Sequence, residues 1–245
     1  MEDDATSSNA AADVLDLVAR LDDDGPVATA SLPVAALQPI VHLEAAVPIG
    51  FEALARFDDG VDPGTHFARA VAEGRIVELE LECCRAALQR LDELPAGTFV
   101  SMNVSLASLT TPDLPMLFRR VDTTRVAIEV TQQSPVDDAI VLDHHLAPLK
   151  STGARIAIDD VGVGDFSIER IAKTTPAMIK AAPRLVTDCD RDESLHHQLR
   201  HVAELGRRLG AITIGVGVER PTEAEVLRNI GFDAAQGYLF GKPQT

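Results

Sequence analysis

Positive charge is scarce in this chain. Lysine and arginine together number 22 against 38 aspartates and glutamates, a net charge of −16. The only lysines are Lys150, Lys173, Lys180 and Lys242. A surface this acidic excludes general binding to DNA or to an anionic membrane, both of which need basic patches. It leaves room for one small anionic ligand held by a few local cations. Tyr238 and the scattered phenylalanines are not interleaved with basic residues, so no stacking platform for single strands is present. Cysteine is also rare. Cys83, Cys84 and Cys189 make neither a disulfide framework nor a C-x-x-C metal clip and read as helix residues. No apolar run reaches the length of a membrane span, and the opening MEDDATSSNAAADV is acidic where a secretory signal would be basic and then apolar. These absences predict a cytoplasmic protein.

What is present is a pattern. Residues 1–30 read as an acidic segment ending in a short amphipathic helix, with Val14, Leu17, Val18 and Leu21 at helical spacing. Residues 31–245 read as one domain in which short β-like runs alternate with helical stretches about eight times. The runs are LQPIVHL, PIGFEALARF, FVSMNVS, RVAIEVT, RIAIDD, MIKA, AITIGVGV and AAQGYLF. No G-x-G-x-x-G follows the first of them, so a dinucleotide-binding open sheet has nothing specific behind it. The alternation predicts an α/β barrel.

Polar residues terminate these runs. Glu52 lies in the second, Asn103 ends the third, Glu129 the fourth, and Asp159 and Asp160 the fifth. Lys180 lies in the sixth, Glu219 follows the seventh, and Gln236 is in the eighth. In a parallel barrel such ends converge on one face, where active sites sit. Two adjacent aspartates at the end of a buried strand repel each other unless a positive charge stands beside them. An isolated pair more often caps a helix. Among so many convergent carboxylates, a divalent metal is the better reading, and oxygen ligands without a cysteine or histidine cluster suit Mg²⁺ or Mn²⁺. His197 and His201, four apart in a charged helix, read as a solvated face.

These motifs are recognisable. LQPIV, FEALARF at 51–57, MNVS at 102–105, IEVT at 128–131, IDDVGVG at 158–164, IK at 179–180, GVE at 217–219 and QGYLFGKP at 236–243 resemble, in order, the EAL domain of bacterial cyclic di-GMP phosphodiesterases. The resemblance implies a (β/α)8 barrel of TIM type with an irregular first strand, binding cyclic di-GMP across its open face. Active members use two divalent metals to activate a water that opens one phosphodiester, giving pGpG. By motif, Glu52, Asn103, Glu129 and Asp159 would hold the first metal, and Asp159 with Asp160 would face the second. Lys180 would orient the water and Gln236 would support the site. Gln38, Leu54, Arg56 and Pro243 would contact the nucleotide, together with Glu52, Asn103, Asp159 and Gln236. Homodimerisation and an unidentified protein partner belong to the same expectation.

The match fails where the family's glutamate before GVE should stand. That position is Val216, which can neither ligate a metal nor accept a proton. Gln132 replaces a glutamate after IEVT, and Ala182 an aspartate two beyond the lysine. Val161, Val163, Asp165 and Phe166 replace the usual residues of the loop after the aspartate pair. The first-metal set and the nucleotide contacts are intact. The sequence therefore predicts a degenerate member that binds cyclic di-GMP as a receptor, with hydrolysis lost or impaired. Two alternatives stay open: a slow phosphodiesterase in which water or Glu219 substitutes, and a protein-interaction module that no longer uses the nucleotide.

Overall fold

A computed structural model describes residues 32–131, 139–162 and 168–245. Eight strands close into a barrel in sequence order. They are β1 (Val34–His42), β2 (Pro48–Arg56), β3 (Phe99–Asn103), β4 (Val126–Thr131), β5 (Arg155–Val161), β6 (Met178–Ala181), β7 (Ile212–Val216) and β8 (Ala234–Gln236). The irregular first strand is real. β1 pairs antiparallel with both β2 and β8, whereas every other neighbouring pair from β2 to β8 is parallel. The expected α/β barrel is therefore the observed fold.

The helices on the outside are α1 (Pro63–Ala72), α2 (Ile76–Gln89), α3 (Leu106–Leu109), α4 (Asp113–Leu117), α5 (Ala139–Ser151), α6 (Ile168–Lys173), α7 (Pro183–Val186), α8 (Ser194–Leu209) and α9 (Pro221–Ile230). Proline starts α1, α7 and α9, where its fixed φ suits the first turn and its missing N–H costs nothing. None of the described helices is long and apolar enough to cross a membrane.

Two cores follow from the period-two alternation of side chains along a strand. One set of residues, including Val100, Ile128, Val130, Ile156, Ile158, Ile179 and Ala235, packs outward against Leu81, Leu146, Leu185, Leu205 and Leu227 of the helices. The other set fills the barrel: Ile40, Phe99, Ala127, Ala157, Met178, Ile214 and Ala234 form a buried plug. Gly50 admits the Phe99 ring to this plug, since a Cβ there would lie 2.5 Å from it.

Some sequence expectations need adjusting. β7 ends at Val216 and β8 at Gln236, so Gly217 and Val218 and the GYLF tail lie outside the strands. Cys83 and Cys84 are in α2, but Cys189 sits in a turn rather than a helix. The helix α7 stops at Val186 because Thr187 turns extended, and Asp188 then adopts a left-handed φ of 61°. His197 and His201 are exposed on α8 with their rings edge to face, as a solvated surface. The 1–30 segment, Gln132, Val163, Asp165 and Phe166 lie outside the described residues.

Candidate functional site

The plug determines what lies above it. Two residues further toward the C-terminal end of each parallel strand, the next inward-facing position holds Glu52 on β2, Ser101 on β3, Glu129 on β4, Asp159 on β5, Lys180 on β6, Val216 on β7 and Gln236 on β8. On antiparallel β1 the equivalent position, two residues earlier, holds Gln38. Barrel interiors are built from such layers. This one is polar at every position except Val216.

The layer is knitted together around one ammonium. Lys180 Nζ donates to Glu52 Oε2 at 2.7 Å and to Glu129 Oε2 at 2.6 Å. Gln236 Nε2 donates to Glu52 Oε2 at 2.8 Å and to Gln38 Oε1 at 3.0 Å, and Gln38 Nε2 reaches the Gly241 carbonyl at 3.1 Å. Asn103 Nδ2 donates to Glu52 Oε1 at 2.9 Å. Lys180, Glu52, Glu129, Gln38 and Gln236 are all buried.

Burial works against the charge of Lys180, yet Glu129, Glu52 and Asp159 hold its pKa well above that of an ordinary lysine. The two glutamates respond differently to the shared cation. Burial opposes ionisation of Glu52, but the Lys180 charge and the hydrogen bonds from Lys180, Gln236 and Asn103 outweigh it and lower its pKa. Glu129 has fewer donors; burial and the neighbouring Glu52 charge push it up to about 7 despite Lys180. Among the described residues its buried Oε1 meets no hydrogen-bond partner, and neither do Ser101 Oγ and Gln236 Oε1. All three orphaned atoms belong to this one layer. Buried polar atoms are nearly always paired, so a cluster of unpaired ones marks a place for something further to bind.

The aspartate pair shows how β5 departs from regularity. In an even strand Asp159 and Asp160 would face opposite sides. Here the register with β6 slips between Ile158 and Val161, and Asp160 takes a left-handed φ of 56°. Aspartate tolerates that conformation better than most residues. Both carboxylates consequently act on the central cluster: Asp159 on Glu129 and Lys180, Asp160 on Lys180 and Glu52. Partial burial and the Asp159 charge raise the pKa of Asp160.

Four carboxylates thus surround one lysine, a deficit of positive charge that suits a hard divalent cation with oxygen ligands. The bare Glu129 Oε1 is a natural first ligand. Glu52, whose oxygens now accept from Lys180, Gln236 and Asn103, would complete a donor set with Asn103 and Asp159, and the cation would supply charge for holding and polarising a phosphate. Val216 offers no ligand atom, so a second ion coordinated from β7 does not fit.

Two cavities flank the cluster. One of about 400 Å³ is lined by Leu54, Arg56, Phe67, Met102, Asn103 and Glu129, with Cys83 and Cys84 in its wall. Burial pushes the Cys83 thiol up to about 12, away from the thiolate form. Among the described residues the Arg56 guanidinium donates to the neighbouring Ala55 carbonyl, at 2.7 Å. The other cavity, about 240 Å³, is lined by Gln38, Val216, Gly217, Glu219, Gln236, Gly237 and Tyr238. Pro243 lines neither cavity.

Sequence reasoning missed Glu80. This buried α2 residue accepts the Ser105 backbone N–H at 3.0 Å, the Ser105 hydroxyl at 2.8 Å and the Ser108 hydroxyl. It braces the turn that follows Asn103. The run ELELE suggested only a helix, and the burial that matters comes from tertiary packing.

Among the described residues, the acidic group whose ligand atoms all lie within 4.8 Å of one another is a different one, Asp188, Asp190 and Glu223; in the central cluster Lys180 Nζ stands between Glu52 and Glu129. The Asp188 group was not anticipated. Arg220 already fills its centre, at 2.9 Å from Asp188, 2.6 Å from Asp190 and 2.7 Å from Glu223. The Glu223 oxygens also accept the backbone N–H groups of Asp188, Glu219 and Arg220. Hydrogen bonds from Arg220 and Thr222 hold Asp190 down to about 2. The group is an ion-pair brace between the turn after α7 and the start of α9.

Comparison with known proteins covers most of the chain. Residues 33–243 match the EAL domain family. The chain is 30% identical over 216 residues to protein y4lL of Sinorhizobium fredii, spanning 84% of this chain and 26% of that one. It is 30% identical over 224 residues to Rv1357c of Mycobacterium tuberculosis, spanning 84% of this chain and 73% of that one. It is 26% identical to MucR of Pseudomonas aeruginosa, named a bifunctional diguanylate cyclase/cyclic di-GMP phosphodiesterase, of which it spans 32%. Among solved structures, the PaMucR phosphodiesterase in complex with c-di-GMP superposes with a TM-score of 0.79 at 25% identity, covering 87% of this chain and 92% of that one. A manganese/c-di-GMP complex of Klebsiella pneumoniae BlrP1 gives the same score at 28% identity, covering 90% of this chain and 58% of that one.

Proposed function

The chain belongs to the EAL domain family of cyclic di-GMP signalling, and from that premise we propose that it is a cyclic di-GMP receptor whose hydrolytic activity is lost or strongly impaired. The observation that carries the proposal is the polar layer with one aprotic member. Everything needed to hold a phosphate is retained: Glu52, Asn103, Glu129 and Asp159 for one Mg²⁺ or Mn²⁺, and Lys180 beside them. Val216 stands where activation of a water would need a carboxylate. A lost general base commonly costs about 10²- to 10⁴-fold in rate, and the lost charge of a second cation adds to that. The cavities on either side of the cluster, one with Arg56 and Leu54 and one with Gln38 and Gln236, suit the two halves of a dinucleotide. A receptor that leaves its ligand intact passes the signal by contact, so a protein partner or a second copy of the chain is part of this reading.

A weak phosphodiesterase is the second reading, and one observation favours it. Glu219 lines the same cavity as Val216, closer than its distance past the strand end suggested. Its backbone N–H is pinned to Glu223, which limits its approach. A module indifferent to the nucleotide is disfavoured by three unpaired buried polar atoms in one layer, because such atoms are costly to keep without a ligand.

The test is a calorimetric titration of cyclic di-GMP into the protein with Mg²⁺ present, followed by recovery of the nucleotide. Saturable binding with intact ligand is expected. Recovered pGpG would make the protein an enzyme, and absence of heat at two temperatures would leave neither reading standing.

A further inference from the structure

Asp159 and Asp160 end β5, which β6 separates from Val216 on β7, where the side chain offers no ligand; the combined charge of the pair needs compensation beyond Lys180. Helix α7 covers this side. The Ala182 N–H binds the Val161 carbonyl at 3.1 Å. Leu185 packs over Gly162, where a Cβ would lie 2.3 Å from its Cδ1, and Pro183 abuts Gly217 beyond β7. Between Pro183 and Leu185 stands Arg184. It is exposed, and its Nη2 donates to the Gly162 carbonyl at 2.6 Å. That bond uses one guanidinium nitrogen, and no other described residue takes a second. Arg184 is also among the charges acting on Asp160.

We infer that Arg184 is the resident counter-charge of the aspartate pair: its guanidinium supplies permanent positive charge beside Asp160 and offers its remaining N–H groups to a phosphate oxygen of the bound dinucleotide. A guanidinium suits that task, being charged at every accessible pH and presenting several donors in a plane. The phosphate contact rests on the receptor reading; the counter-charge does not. A positive charge fixed at this place also disfavours a second divalent ion there, even if a ligand is restored on β7.

Metal binding without nucleotide tests this, with Mn²⁺ as the probe and the signal of free Mn²⁺ in electron paramagnetic resonance as readout. Two variants are compared, Val216→Glu alone and Val216→Glu with Arg184→Gln. Glutamine removes the charge and leaves an amide donor on a shorter side chain. The expected result is a second Mn²⁺ bound about 10-fold or more tightly in the double variant than in the single one. Identical isotherms would overturn the inference. In parallel, Arg184→Gln in the otherwise unaltered chain should weaken cyclic di-GMP binding about 10-fold at low salt, with Arg184→Lys restoring most of it. An unaltered chain that does not bind cyclic di-GMP would sink the receptor reading, while the metal comparison would still decide the role of Arg184 as counter-charge.

Discussion

The cluster around Lys180 and the cluster around Arg220 are both acidic and both organised by one cation, yet they are balanced differently. Arg220 meets three carboxylates whose oxygens are further occupied by backbone N–H groups and by Thr222. Lys180 meets four carboxylates in its field, and the layer around it keeps Glu129 Oε1, Ser101 Oγ and Gln236 Oε1 unpaired. Proximity of acidic side chains therefore does not by itself define a metal site. What separates the two is saturation: the Arg220 cluster is complete as a brace, the Lys180 cluster is incomplete without a ligand.

The largest effect that would sharpen this contrast is on stability. Lys180→Met leaves Glu52 and Glu129 buried without their shared cation, and is expected to cost about 3–5 kcal/mol in urea unfolding and to abolish nucleotide binding. Arg220→Ala should cost less, because Asp188 is exposed and the buried Glu223 keeps the backbone N–H donors of Asp188, Glu219 and Arg220, and should leave nucleotide affinity unchanged. An equal loss from both would break the distinction.

Next in size is metal affinity. Glu129→Gln removes the ligand oxygen that lacks a partner and should weaken Mn²⁺ binding by about 100-fold or more. Asp190→Asn should leave Mn²⁺ binding as it was. Arg56→Ala follows, with about a 10-fold or larger loss of cyclic di-GMP affinity by calorimetry.

The pH dependence is smaller and has a defined sign. Burial raises the pKa of Glu129 to about 7. The stability it contributes is therefore fully present below the ordinary glutamate value near 4.5 and is lost as pH rises through about 7. Cation binding has the opposite slope, since the ligand must be deprotonated. Mn²⁺ affinity should climb by up to about 10-fold per pH unit below 7 and level off above it, a profile that an isotherm series between pH 5.5 and 8 would test. The smallest effect is expected from Val216→Glu alone, which should change cyclic di-GMP affinity only a few-fold and restore little turnover. Substantial pGpG formation from that single change would show that the loop after the aspartate pair matters less than proposed.

Much of this architecture was legible in the sequence because strands impose a period of two. Ala127 and Glu129, Ala157 and Asp159, and Met178 and Lys180 each place an apolar residue in the plug and a polar one above it. The strand ends alone carry Glu52, Glu129, Asp159, Lys180 and Gln236 of the central cluster. The parts that were not legible depend on backbone departures or on distant packing. Nothing in IDDVG announces that Asp160 turns left-handed, which is what brings both aspartates to one side. Glu80 looks like any other acidic residue of α2 until Ser105 and Ser108 are seen to converge on it. Arg220 and its three partners span residues 188 to 223, and Arg184 acquires meaning only because α7 folds over Gly162. Cys189 falls in a turn and not in the expected helix because a four-residue helix followed by a left-handed aspartate leaves no periodic signal.

The most direct test of the central contrast is crystallographic: the protein with cyclic di-GMP and Mn²⁺, with data collected at the manganese edge. The account predicts one anomalous peak, among Glu52, Asn103, Glu129 and Asp159, beside an uncleaved nucleotide. A peak at Asp188, Asp190 and Glu223, or a pair of peaks flanking Asp160 with the diester opened, would contradict it.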